Sequence, residues 1–198
     1  TNNEFINNQL EGWGSSTVGE NVRAHENSFI NNGSAINQYS GNQIDATLNW
    51  WGTADPAEIA NLVSGDVDYN PWYMDEAMTV TCVDAAVAAV NAAEKAEMKD
   101  VLEANAFALG LDLSDYNALL YASQVRVSFV GFEDKPYDNA AAVIEAFDGA
   151  VALQRPINAV NGASSVAAMY NALVANAGDL GINVAAFETW PQYYKDKV

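Results

Sequence analysis

The chain has 198 residues, half of them hydrophobic, and carries a formal charge of −18 with only eight Lys or Arg residues. That length allows one large or two small domains with their own cores, and that hydrophobic content argues against disorder. So acidic a surface repels nucleic acid and anionic membrane, and no apolar run approaches the roughly 18 residues of a membrane span, which leaves divalent cations and cationic polymers as attracted partners.

Cys82 is the only cysteine, which excludes an internal disulfide framework and a thiolate zinc cluster. The chain opens on Thr1-Asn2-Asn3 with neither an initiator Met nor a signal peptide, and reads as a piece of a longer protein.

Over residues 1–78 the chain repeats itself. Asn3-Glu4-Phe5-Ile6-Asn7-Asn8 returns as Asn27-Ser28-Phe29-Ile30-Asn31-Asn32, and Val22-Arg23-Ala24 answers Ile44-Asp45-Ala46, a period of about 20 to 25 residues. The apolar residues come in short alternating bursts separated by Asn and Gly, which tolerate left-handed corners, so short parallel strands fit better than amphipathic helices. Asn7, Asn8, Asn31 and Asn32 are candidates for an amide ladder between successive repeats. Asp55 should N-cap a short helix that has Pro56 at its first position and Glu58 in its first turn.

The run Ile44-Asp45-Ala46-Thr47-Leu48-Asn49-Trp50-Trp51-Gly52, followed by Ser64-Gly65-Asp66-Val67-Asp68-Tyr69-Asn70-Pro71-Trp72, resembles the C-terminal end of right-handed parallel β-helix domains in large bacterial and archaeal surface proteins. The resemblance implies a β-helix over 1–78 whose last coil is closed by a structural cap of Trp50, Trp51 and Trp72, because an open solenoid end exposes strand edges and apolar core that must be covered.

Residues 79–198 are Ala-rich with helical spacing of apolar positions. Ala89-Val90-Asn91 matches Ala159-Val160-Asn161, Met98 matches Met169, Leu102 matches Leu173, Asn105 matches Asn176, and Leu109-Gly110-Leu111 matches Leu180-Gly181-Ile182, a period of about 70 residues. Gly110 and Gly181 read as helix stops and Ser114 as an N-cap. Two segments follow, 79–155 and a shortened 156–198. They resemble the Ala-rich modules of secreted Gram-positive surface proteins, some of them associated with S-layers, and the expected fold is a mixed two-domain chain: parallel β-helix, then an all-α helical repeat domain.

Chemistry is sparse. His25, the lone histidine, sits beside Glu26 and reads as a surface residue, not one arm of a Ser-His-Asp relay. A glycosidase or polysaccharide lyase needs paired carboxylates or a base with a cation, and Arg23 is the only basic side chain among residues 1–78, so no enzyme activity is expected. Asp66-Val67-Asp68-Tyr69-Asn70 alternates oxygen ligands as a calcium loop does, but Pro71 replaces the glycine an EF-hand requires; Asp66, Asp68, Asp75 and Glu76 remain candidates for a looser calcium site. No other cofactor is expected. Trp13, flanked by Gly12 and Gly14, is the candidate for an exposed ligand contact, whereas Trp50 and Trp72 should be buried and Cys82 should behave as a small apolar residue.

The expected function is a non-enzymatic structural segment of an extracellular cell-surface protein that self-associates into a layer, sheath or fibre, or spaces other domains. A carbohydrate-binding or adhesin module that takes polysaccharide is the alternative, and a fragment of a lyase or hydrolase a more distant third. Neither nucleic acid nor membrane insertion enters any of these readings.

Overall fold

A computed structural model describes residues 1, 3–6, 13–15, 22–39, 41–191 and 193, the backbone alone for 13–15 and 187. The chain divides into two compact units, Thr1–Ala88 and Ala89–Val198.

In the first unit the apolar bursts become strands of two or three residues: β1 (Glu4–Ile6), β2 (Trp13–Ser15), β3 (Val22–Arg23), β4 (Ser28–Ile30), β5 (Ile36–Gln38), β6 (Ile44–Asp45), β7 (Val63–Ser64) and β8 (Val67–Asp68). All pair in parallel. β1 lies on β4 with Phe5 opposite Phe29; β2, β5 and β7 form a second sheet with Trp13 opposite Ile36 and Ile36 opposite Val63; β3, β6 and β8 form a third with Val22 opposite Ile44 and Ile44 opposite Val67. The strands stay short because corners interrupt them. Glu26, Asn31 and Leu48 all take positive φ, a left-handed conformation that no strand can propagate.

Helix α1 (Pro56–Leu62) starts as its sequence dictates. The Asp55 carboxylate accepts the Ala57 N–H at 2.8 Å, Pro56 takes the first turn, and Glu58 lies near the positive end of the helix dipole. Its only buried residue is Ile59, which joins Phe29, Ala35, Ile36, Ile44, Ala46, Trp51 and Trp72 in the core. At the helix end Val63 is already extended and passes straight into β7. The turn to β8 passes through Gly65 at φ +83°, where a Cβ would stand 2.3 Å from the Gln38 carbonyl oxygen, so only glycine fits.

Helix α2 (Cys82–Ala92) crosses the division between the units, and the second unit continues with α3 (Met98–Leu109), α4 (Ser114–Asn117), α5 (Tyr121–Val130), α6 (Ala140–Asn161), α7 (Val166–Ala175) and α8 (Val184–Glu188). α3, α5 and α6 pack on one another and bury Met98, Leu102, Ala106, Leu109, Val127, Val143, Phe147, Ala150 and Val151. The Tyr116 ring lies against Phe147 with centroids 5.4 Å apart, while its hydroxyl reaches out to Glu103 at 2.9 Å. α3 ends where Gly110 turns left-handed. Ser114 does not cap α4 with its side chain; the Asp112 carboxylate accepts the Ser114 N–H at 2.9 Å instead. α6 is N-capped by Asn139 and runs on through Pro156, whose missing N–H removes one bond without ending the helix.

This architecture corrects the expectation from sequence. A right-handed parallel β-helix with an aromatic C-terminal cap, expected as the first part of a mixed two-domain chain, is not what the chain forms. The strands make three separate small sheets of two, three and three strands, none of them closed or solenoid-like. Eight helices among the described residues carry most of the regular structure, and the molecule is a small α/β mixture. The resemblance to surface-protein β-helix ends is withdrawn with it. The physical reason is strand length: two or three residues between left-handed corners contribute too few ladder bonds to make sheet the dominant element.

Candidate functional site

Among the described residues the most organised group of polar side chains is a column of three asparagines. At the corner before β4, Glu26 is left-handed and Asn27 follows; at the equivalent corner after β6, Leu48 is left-handed and Asn49 follows. A left-handed residue turns the backbone so sharply that neighbouring N–H and C=O groups lose their strand partners, and each asparagine amide replaces them. The Asn49 carbonyl oxygen accepts both the backbone N–H and the side-chain amide of Asn27, at 2.8 and 3.0 Å. The Asn27 oxygen accepts the same two groups of Asn3, at 3.2 and 3.0 Å. The amide of Asn27 donates onward to the His25 carbonyl at 2.9 Å, and that of Asn49 to Ala46 at 2.6 Å and to Ala24. Asn27 and Asn49 are fully enclosed and satisfied.

Beside the amides runs an aromatic column. Phe5 stacks on Phe29 at 4.8 Å, Phe29 on Trp51 at 5.1 Å, Trp51 meets the edge of Tyr69 at 6.2 Å, and Tyr69 leans on Trp72 at 6.2 Å. Trp51 and Trp72 are buried, and the Trp72 indole N–H donates to the Ala54 carbonyl at 3.1 Å. Trp50 is only partly buried, against expectation; its contribution is backbone, exchanging bonds with Asn27 and Phe29. Trp13 pairs through its backbone with Ile36, and its side chain lies outside the described residues, as do Asn7 and Asn8. Asn31 occupies a left-handed corner and Asn32 donates to the Phe5 carbonyl, so the ladder is built from other asparagines than those expected.

His25 is not an isolated surface residue. Its Nε2 lies 2.7 Å from Asp45 Oδ1 and 3.2 Å from Thr47 Oγ1, and the Thr47 hydroxyl itself donates to Asp45 at 2.9 Å. Arg23 adds an ion pair to the other carboxylate oxygen at 3.5 Å, mostly in solvent and therefore weak. Burial alone would raise the Asp45 pKa, but the bonds from His25 and Thr47 outweigh it and hold the carboxyl below its usual range. A proton relay needs the carboxylate on one ring nitrogen and the hydroxyl on the other. Here both share Nε2, so the trio braces a corner and has no relay geometry.

Three of the four candidate calcium ligands accept local hydrogen bonds. Asp66 accepts the Gln43 amide at 3.0 Å, Asp68 the Asn70 N–H at 3.2 Å, and Asp75 the Thr79 hydroxyl at 2.8 Å, which holds its carboxyl below the usual range; Glu76 is exposed. Among the described residues no group of three or more His, Cys, Asp or Glu side chains is placed to hold a metal ion. Cys82 is buried, its sulfur accepting the Trp72 N–H at 3.4 Å, and burial pushes the thiol up to about 11.

Sequence reasoning missed the Asn3–Asn27–Asn49 column although its signal was present: Asn27 and Asn49 each stand three residues after Ala24 and Ala46, which the repeat already aligned. The same alignment sets Arg23 opposite Asp45. Fold and site together define a small α/β protein whose most elaborate polar constellation among the described residues is internal. No protein-family model, curated protein or solved structure matches this chain. Among the described residues no helix is long and apolar enough to cross a membrane.

Proposed function

We propose that this chain is a non-enzymatic structural segment of an extracellular surface protein, one that self-associates into a layer, sheath or fibre or holds other domains apart. The observation that carries this reading is the paired amide and aromatic column of the first unit. Asn27, Asn49, Phe29, Trp51 and Trp72, residue types that sites commonly present to ligands, serve internal cohesion and are buried. Such a column stiffens a small unit, which is what a spacer or lattice element requires.

The acidic surface supplies the control. Subunits carrying −18 each repel one another until divalent cations bridge them, and Asp66, Asp68 and Glu76 offer exposed carboxylates for bridging between chains rather than within one. The test is sedimentation and negative-stain electron microscopy of the purified chain in millimolar calcium and then in chelator. Ordered assemblies that dissolve on chelation are expected, with interfaces of about 1,200 Å² or more. A monodisperse monomer in both conditions sinks the assembly reading, and binding of that monomer to polysaccharide would replace it with an adhesin role.

A further inference from the structure

The second unit contains one helix–turn segment twice. In α3 the Asn105 amide donates back to the Val101 carbonyl at 2.8 Å; in α7 and its turn the Asn176 amide donates to Ala172 at 2.7 Å. Gly110 and Gly181 stop the two segments with φ of +73° and +65°, and the next residues close the same turn, Leu111 N–H to Ala106 at 2.9 Å and Ile182 N–H to Ala177 at 2.8 Å. Equal local geometry from equivalent residues makes the two segments comparable position by position.

Their surroundings are not equal. Met98, Leu102, Ala106 and Leu109 are buried beneath α5 and α6. Their counterparts Met169, Leu173, Ala177 and Leu180 are each only partly covered, and α7 has no buried residue although it is strongly apolar. Val166 is 64% exposed, and Leu153, on the half of α6 that faces this segment's groove, 63%. A groove of about 470 Å³ runs between Gly149, Leu153 and Pro156 on α6 and Asn176.

A second difference is independent of the apolar face. Asn91 clamps the loop that leads into α6: its amide donates to the Tyr137 carbonyl at 2.9 Å and its oxygen accepts the Tyr137 N–H at 2.7 Å. The counterpart, Asn161, is exposed and makes no such clamp among the described residues. The uncovered face and the open clamp of the second segment stand where the α5–loop–α6 hairpin covers the face and closes the clamp of the first. They are also continuous with that established core, because the single helix α6 gives Val143, Phe147, Ala150 and Val151 to it and then passes on to α7.

We infer that the α6–α7 face is a docking surface for one further helical hairpin of the α5–α6 type: Ala- and Val-rich, with an apolar stripe for Met169 and Leu173 and a loop whose backbone N–H and C=O close on the Asn161 amide. The α5–α6 hairpin of a second copy is already packed on its own α3, so the occupant is an additional hairpin and not a second copy of the chain. The inference stands on the repeat geometry and does not rest on the assembly reading.

The probe is a labelled peptide spanning residues 118–152 of this sequence, titrated into the full chain, with hydrogen exchange of the α7 amides as the site-specific readout. Saturable binding is expected, with about tenfold more protection of the amides of Met169 and Leu173 and none added in α3. Asn161→Ala should weaken binding about tenfold, and Leu173→Asp, checked for folding by circular dichroism, should abolish it. The same 118–152 segment joined after Val198 gives a second format that does not require the free peptide to fold. No added protection of α7 in either format overturns the inference, as does equal binding by Asn161→Ala. Concentration-dependent dimerisation of the chain alone that Leu173→Asp removes would put a second copy on the face and overturn the proposed occupant.

Discussion

Asn49 shows how much one amide can carry in a unit of such short strands. Its oxygen accepts from two Asn27 donors, the backbone N–H and the side-chain amide, and its own amide covers carbonyls on both flanking turns. Asn49→Ala leaves those buried groups unpaired, and a loss of about 2–4 kcal/mol is expected, read as a fall in the urea midpoint with unchanged slope. Asn32→Ala, on a partly buried residue, should cost about 1 kcal/mol or less. A smaller Asn49 effect would mean that the corners do not depend on the ladder. Cys82 makes a pH prediction. Its thiol titrates at about 11 when folded against 9.0 otherwise, so the neutral thiol is favoured in the folded chain. The associated stability is complete below pH 9 and is lost as pH rises through 11, by about 2–3 kcal/mol. Cys82→Ala should therefore show a flatter alkaline limb than the parent in urea melts between pH 8 and 11, and the parent thiol should resist alkylation until unfolded; parallel limbs would refute the assignment.

Among the elements, the link from α1 through β7 to β8 depends on Gly65 as much as on its apolar residues. A Cβ there would overlap the Gln38 carbonyl in a backbone conformation that L-residues already avoid. Gly65→Ala should cost about 2–3 kcal/mol, whereas Gly149→Ala, inside α6 with open space around the new methyl, should be neutral or stabilising by about 0.5–1 kcal/mol. Thermal melts of the two variants decide this, and equal midpoints would show that β5 yields to the added methyl. The helices of the second unit divide along the same line between pattern and partner. α3 and α7 have the same apolar spacing, yet only α3 buries its apolar positions, since α3 packs against both α5 and α6 whereas α7 packs against α6.

Across the whole molecule, the excess of negative charge governs the response to salt. With twenty-six acidic residues against eight basic ones, the excess carboxylates repel one another in the compact state, and among the described residues the pairs Lys99–Glu103 and Lys95–Glu133, at or near the surface, offset little of this. The melting temperature should rise by several degrees between about 10 mM and 500 mM NaCl as the Debye length falls from roughly 30 to 4 Å. A salt-independent melting temperature would show that the carboxylates are already too far apart to interact. Calcium acting at millimolar concentration well beyond this screening effect would instead support bridging between chains.

Local structure proved legible where one residue dictates it. Asp55-Pro56 announced the start of α1, Gly110 and Gly181 the stops of their helical segments, and the recurrence of Phe5 as Phe29 the register of β1 on β4. These features depend on sterics and on hydrogen bonds a few atoms away, so the chain specifies them wherever it folds. The architecture and the identity of the ladder asparagines were not legible. Whether two-residue strands merge into a solenoid or stay three small sheets, and whether Asn27 or Asn31 turns inward, depends on which corner takes positive φ and which neighbour is packed against it. Those choices, like the grouping of His25 with Asp45 and Thr47, are made by contacts between residues some twenty positions apart. The one-dimensional pattern names the candidates for such contacts, and packing selects among them.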